Sequence, residues 1–244
     1  MFKKLLKHEL LQSWKIYVPI IVLYACVSIA MVLTANYFTE KWHLSTNTSF
    51  METANNISVI NLFLSVAVRT AVYILIAVGF YKTTIGKMGY ITHTLPATVN
   101  EILTVKVAVY SFYLLLLTIV RKIGTWISFS AMGDITYNYR TTLVSELKDV
   151  AVCIFVVLSI YAALSIGFSF ERFKMGIAAG VYLLIHFAGE YGSEIVRFVL
   201  WNVMGDKLLG NQVMSVFSMV MTFLCIPLWF FITKYFLEKR LNLE

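Results

Sequence analysis

IYVPIIVLYACVSIAMVLTANYF, residues Ile16–Phe38, contains no charged side chain. As a helix at about 1.5 Å per residue it reaches roughly 34 Å, enough to cross a hydrocarbon core of about 30 Å. Lysines precede the run and further apolar runs follow it, so it reads as a retained first helix rather than a cleaved signal. On its N-terminal side, Met1–Lys15 places Phe2, Leu6, Leu10 and Trp14 four residues apart. Lys4, Lys7, His8 and Lys15 fall on the opposite side of a helical wheel. That pattern predicts a helix lying in the inner membrane interface, the alternative being a basic lead-in to the first span.

On the C-terminal side, five more apolar runs cover about 59–81, 102–120, 149–170, 175–189 and 213–237. The expected fold class is an all-α polytopic membrane protein, a single transmembrane domain over 1–244 with six transmembrane helices and the interfacial helix at 1–15. The fifth run is short and is followed by residues 190–212, where Glu194, Arg197 and Asn202 mix with Ile195, Phe198 and Trp201. A broken fifth helix is therefore predicted, interrupted near Gly189 or Gly192 and continuing as an outer re-entrant or interfacial segment sheltered by protein. The third span is taken to end at Val120, with Arg121 and Lys122 at the outer boundary. Pro19 and Pro227 should kink or break the first and last spans.

The composition agrees with a membrane class. Of 244 residues, 59% are hydrophobic and 14% charged, and the mean hydropathy is +0.79, too apolar for one soluble core. With both termini inside, the inner segments carry 12 Lys and Arg residues, Lys106 among them, and the outer segments 7, which favours cytoplasmic termini. The net charge of +7 is thereby accounted for by the membrane-facing loops, without a nucleic-acid partner. Cys26, Cys153 and Cys225 lie inside apolar runs without CxxC spacing, which suggests neither a disulfide framework nor a zinc site.

Chemistry is sparse. The nearest approach to a phosphate loop is Gly86-Lys87, with Tyr81 where the first glycine belongs and Met88 where the hydroxyl belongs, so the chain is not expected to hydrolyse ATP. No catalytic, cofactor or metal residues are assigned. Three intramembrane polar candidates stand out. Arg69 lies about ten residues into the second span, where a charge costs roughly 2.5–3.5 kcal/mol and needs a partner. That partner would be Glu190 or Glu194 in a gating pair, or backbone carbonyls with Asn61 or Ser65. His186 and Glu190 share a face one turn apart, as a polar pair or the start of a metal site. Gly176-Ile-Ala-Ala-Gly180 matches the small-xxx-small pattern for close helix approach.

The polar stretch Thr83–Glu101, TTIGKMGYITHTLPATVNE, is long for a loop between spans and is punctuated by Gly86, Gly89 and Pro96. Within it, Gly89, Tyr90, Ile91, Thr92, Thr94, Leu95 and Pro96 resemble the Gly-Tyr-(Leu/Ile)-Thr-x-Thr-Leu-Pro run of permease subunits of type-2 ABC exporters. There the run follows the second span and forms a short cytoplasmic coupling helix on an ATPase partner. Lys87 and Met88 depart from the acidic residues that often precede this run in relatives. The resemblance implies a bacterial cytoplasmic membrane and a dimer of permease subunits on ABC ATPase subunits. It also implies ATP and Mg on the partner, with no cofactor in this chain. Spans rich in Phe, Tyr, Met and Trp suit a hydrophobic or amphipathic cargo: an antimicrobial peptide, lipid-like molecule or drug. The alternatives are a channel or ion-coupled carrier built on Arg69, His186 and Glu190, or a membrane sensor or accessory subunit.

Overall fold

Apolar runs this long leave the backbone one economical solution in lipid, a helix that satisfies its own N–H and C=O groups. The structure, a computed structural model, describes residues 2–45, 48–86, 98–131, 139–170, 172–204 and 207–239, and among these no strand occurs. Six long helices follow in order: α1 (Phe2–Ser45), α2 (Thr48–Phe80), α3 (Val99–Ala131), α4 (Tyr139–Phe168), α5 (Lys174–Met204) and α6 (Lys207–Lys239). A π-helical turn, Tyr81–Ile85, continues α2. Among the described residues, five helical stretches are long and apolar enough to cross a membrane, one each in α1, α2, α3, α4 and α6. The chain is thus read as membrane-embedded, and α5 is the helix that falls short of that test.

Expected helix boundaries are corrected here. The interfacial helix and first span form one continuous 44-residue helix, with Glu9 and Ser13 buried and Phe2 and Trp14 exposed at its N-terminal end. A sequence without a helix-stopping residue at the Lys15–Ile16 junction has no cause to break there. The fifth helix is likewise unbroken through Gly189 and Gly192. A glycine costs a helix about 1 kcal/mol but removes no hydrogen bond, which is too little to break a helix flanked by good formers. Both prolines also sit inside helices that continue past them. The third helix runs beyond Val120, and Lys122 pairs with Asp149 on α4 at 2.6 Å.

The helices alternate in direction. Glu9 meets Lys106 and Asn36 reaches the Ile127 carbonyl, so α1 and α3 run parallel. Lys122 meets Asp149 while Tyr110 meets Tyr161, so α3 and α4 run antiparallel. Phe80 at the end of α2 stacks on Tyr161, with ring centroids 3.9 Å apart, and Leu237 of α6 closes over Phe80, Thr84 and Leu103. The start of α1, the end of α2, the start of α3 and the end of α6 therefore gather at one end of the bundle. α3 and α4 form its centre: 67% and 72% of their most apolar stretches are buried, against 6% for α6. The exposed faces of the outer helices carry large apolar side chains such as Leu23, Phe63, Leu184 and Phe231, as lipid contact requires.

Lipid tails are as apolar as leucine, so close packing has to supply much of the helix association. The tightest approach lies at the α4–α5 turn. A Cβ on Gly167 would come within 2.6 Å of Ala178 Cβ and within 2.7 Å of the Ala178 nitrogen and the Lys174 carbonyl oxygen. Gly176 and Gly180 face open space instead, so the small-residue motif works through Ala178, the residue between them. Since the obstructing atoms are backbone, Gly167→Ala should destabilise the bundle by about 1–3 kcal/mol, read as a lower midpoint in a detergent-denaturation titration. Gly176→Ala, which meets nothing and removes a helix glycine, should leave that midpoint no lower than the native one.

Candidate functional site: a buried ionic joint between α1, α3 and the π turn

The segment of greatest interest in the sequence, Gly89, Tyr90, Ile91, Thr92, Thr94, Leu95 and Pro96, lies outside the described residues, and the structure describes its two flanks. On the upstream flank, the Gly86 N–H bonds to the Tyr81 carbonyl at 2.7 Å, the i to i−5 spacing of a π turn. On the downstream flank, Thr98 and Glu101 form a reciprocal capping box. The Thr98 N–H donates to Glu101 Oε2 at 3.2 Å and the Glu101 N–H to Thr98 Oγ1 at 3.3 Å. This box satisfies two of the N–H groups that a helix start leaves free and fixes where α3 begins. Thr98 thus caps the third helix rather than a helix within the loop.

Between these flanks sits a polar cluster that the sequence reading did not identify. Lys106 Nζ on α3 donates to Glu9 Oε1 on α1 at 2.7 Å and to Thr83 Oγ1 in the π turn at 2.9 Å. The two charged side chains are only 4% and 11% exposed. Tyr110, one turn after Lys106, donates to the same Glu9 oxygen at 3.3 Å. Thr83 passes its own proton to the Gly79 carbonyl at 2.8 Å, which frees its oxygen to accept from Lys106. Ser13, one turn after Glu9, donates to the Glu9 carbonyl at 2.7 Å and lies 3.1 Å from the Tyr113 hydroxyl. Tyr17 continues the stripe, stacked on Tyr113 with centroids 4.8 Å apart and edge-on to Tyr110.

Helical periodicity explains the convergence. Glu9, Ser13 and Tyr17 are spaced by four, and Lys106, Tyr110 and Tyr113 by four and three, so each set lines one face. Two parallel helices bring the faces together, and the π turn rotates Thr83 and Thr84 inward against them. Single π turns of this kind are frequent at functional sites. Lys106 had been counted with the loop cations, but its charge is buried. The legible signal was that Lys106 is the lone charge within the apolar run 102–120 and Glu9 the lone acid of the basic N-terminal helix.

The other candidates do not converge. Arg69 is half-buried on α2, and among the described residues no ion pair joins it to Glu190 or Glu194. Of its other expected partners, Ser65 donates to the Leu62 carbonyl and Asn61 Oδ1 is buried without a hydrogen-bond partner. His186 packs against Tyr182 on α5 with its Nε2 buried and unpartnered, and Glu190 follows one turn later. Among the described residues no three His, Cys, Asp or Glu side chains gather as a metal site would need. The three cysteines are free. No family model matches the chain, and neither a curated protein nor a solved structure is found to be similar to it.

A buried ion pair broken on one side leaves an uncompensated charge, at a cost of roughly 3–5 kcal/mol. Glu9→Gln and Lys106→Met should each lower the unfolding free energy by about that amount. The double variant Glu9→Met with Lys106→Met should recover more than half of the loss, because it leaves no charge behind. A double-mutant cycle in detergent-denaturation midpoints measures both.

Proposed function

We propose that this chain is the transmembrane permease subunit of an ATP-driven exporter of the type-2 ABC class, working as a dimer on separate ATPase subunits that bind ATP and Mg. One observation carries the reading beyond the loop's resemblance: the Glu9–Lys106–Thr83 joint ties the base of that loop to α1 and α3 through charge-assisted bonds. A loop that only connected two spans would need no such anchorage. A loop moved by a partner does, because displacement reaches the spans only through contacts stiff enough to carry it.

In this reading Gly89–Pro96 docks on the ATPase, with Tyr90 and Leu95 as its apolar anchors. Closure of the ATPase pair on nucleotide displaces the loop. The displacement passes through the π turn and Lys106 into α1, and through the Thr98–Glu101 box into α3. The cargo is hydrophobic or amphipathic, in keeping with the aromatic and methionine content of the spans, and both termini face the cytoplasm of a bacterial cell.

The test is co-purification of the full chain with an ABC-type ATPase from the same genome. Replacing both Tyr90 and Leu95 by Ala should lower recovery of the ATPase at least about tenfold, the effect of losing one interface hot spot, while the permease itself still folds and elutes as the native chain does. An ATPase that fails to associate with the native chain, or that binds the doubly substituted chain equally well, would overturn the reading.

A further inference from the structure

The end of the bundle opposite the ionic joint holds a cavity of about 410 Å³ between α1, α2 and α3. By helical rise, Arg121 stands about 22 Å along α3 from Lys106. The joint and the cavity are thus separated by most of a bilayer's hydrocarbon thickness. α2 and α3 both pack on α1 and only slightly on each other, and the cavity occupies the gap between them.

Its lining mixes apolar side chains such as Val32, Ala35 and Leu62 with polar ones. Asn36, Asn55, Asn61, Ser58, Arg121 and Lys122 face it, and among the described residues no carboxylate does. Lys122 is neutralised by Asp149 at 2.6 Å. Arg121 is exposed, and among the described residues it makes no ion pair, so the cavity carries one net positive charge. Asn36 is engaged with the Ile127 carbonyl at 3.3 Å and Ser58 with the Ala54 carbonyl at 3.0 Å. Asn61 Oδ1, by contrast, is buried and lacks any donor. A buried carbonyl oxygen without a donor is costly unless something complements it, and the exposed guanidinium on the same cavity is open to an anionic partner.

We infer that this cavity binds a monoanionic phosphodiester headgroup bearing hydroxyls, its oxyanion on Arg121 and a hydroxyl on Asn61. A guanidinium offers a planar pair of donors that fits a phosphate oxyanion, and one net positive charge matches the single charge of a diester. The hydroxyl supplies the proton that Asn61 Oδ1 lacks. The same stretches of α2 and α3 carry exposed Leu62, Ile119 and Ile123, against which acyl chains can lie. The inference goes beyond the exporter reading and does not depend on it, since the cavity and its charge exist without an ATPase.

The probe is phosphatidylglycerol, titrated onto the full chain in mixed micelles and followed as a lipid adduct by native mass spectrometry. Phosphatidylcholine serves as the zwitterionic reference. Phosphatidylmethanol serves as the diester without headgroup hydroxyls. The native chain should bind one phosphatidylglycerol at least about tenfold more tightly than phosphatidylcholine, and several-fold more tightly than phosphatidylmethanol. Arg121→Gln should abolish the first preference and Arg121→Lys keep part of it. Asn61→Leu should abolish only the second, and Lys41→Gln, the same charge loss outside the cavity, should change neither.

Competition by glycerophosphoglycerol separates the sources. Displacement at concentrations close to the lipid's identifies a soluble diester as the occupant, and displacement only at large excess identifies a lipid; both uphold the oxyanion site. Equal binding of phosphatidylglycerol and phosphatidylcholine by the native chain overturns the inference, as does equal weakening by Arg121→Gln and Lys41→Gln. Because the preference among the three lipids is read on the native chain, a variant that fails to fold leaves the inference decidable.

Discussion

The Glu9–Lys106 pair is the constraint on which the arrangement of this bundle turns. In water, two exposed charges at 2.7 Å would contribute a fraction of a kcal/mol and specify little. Within a helical bundle in lipid neither charge can be left alone, so any packing of α1 against α3 that separates them is penalised far more than a loss of apolar contact would be. The pair therefore fixes the register of two parallel helices, and the other contacts follow that register. Ser13 falls beside Tyr113, Tyr17 stacks on Tyr113 and meets Tyr110 edge-on, and further along a Cβ on Gly124 would come within 3.5 Å of Val32, ordinary contact. Lys106 also reaches Thr83, so the same charge holds the π turn that ends α2.

The two ends of the bundle are built on different physics. At the loop end, the two charges are paired and aromatic rings close over them, while Thr84 Oγ1 and the Tyr161 hydroxyl stay buried without a partner. At the opposite end, α2 and α3 separate and leave a cavity with a cation and an unmatched carbonyl oxygen. A joint that transmits displacement has to be stiff, whereas a site that exchanges a ligand has to retain unsatisfied chemistry. α3 spans both, with more than half of its apolar stretch buried, and α4 backs it through the Phe80–Tyr161–Tyr110 rings and the Lys122–Asp149 pair. Such a central helix joins the two ends by continuous packing.

Much of the fold is written in hydropathy alone. Ile16–Phe38 and the later apolar runs are too long and too uncharged to be anything but helices in an apolar medium, and their order sets an alternating bundle with its termini at one end. The start of α3 lies a little before the expected residue 102, where Thr98 and Glu101 stand at capping-box spacing. The continuity of α1 and α5 was not legible, because a change from amphipathic to apolar pattern, or a pair of glycines, looks like a boundary in one dimension. In three dimensions it costs the helix too little to end it. The Gly176-xxx-Gly180 motif misled for a related reason: spacing shows that two residues share a face but not which face meets a neighbour.

What the sequence determined by itself was the class of solvent this chain occupies, because transfer of apolar side chains out of water adds up residue by residue along each run. It also marked the polar loop as the place where the pattern changes purpose. What only the tertiary structure decided was the fate of the charges. Lys106 reads as one more loop cation until α1 brings Glu9 to it. Arg69 reads as a pairing residue, yet it ends half-buried with neither expected acid beside it. Arg121 reads as a boundary residue until α1 and α2 enclose the space before it. Hydropathy is additive and local, whereas the free energy of a charge in an apolar medium depends on what lies within a few ångströms, and that is settled only when the helices meet.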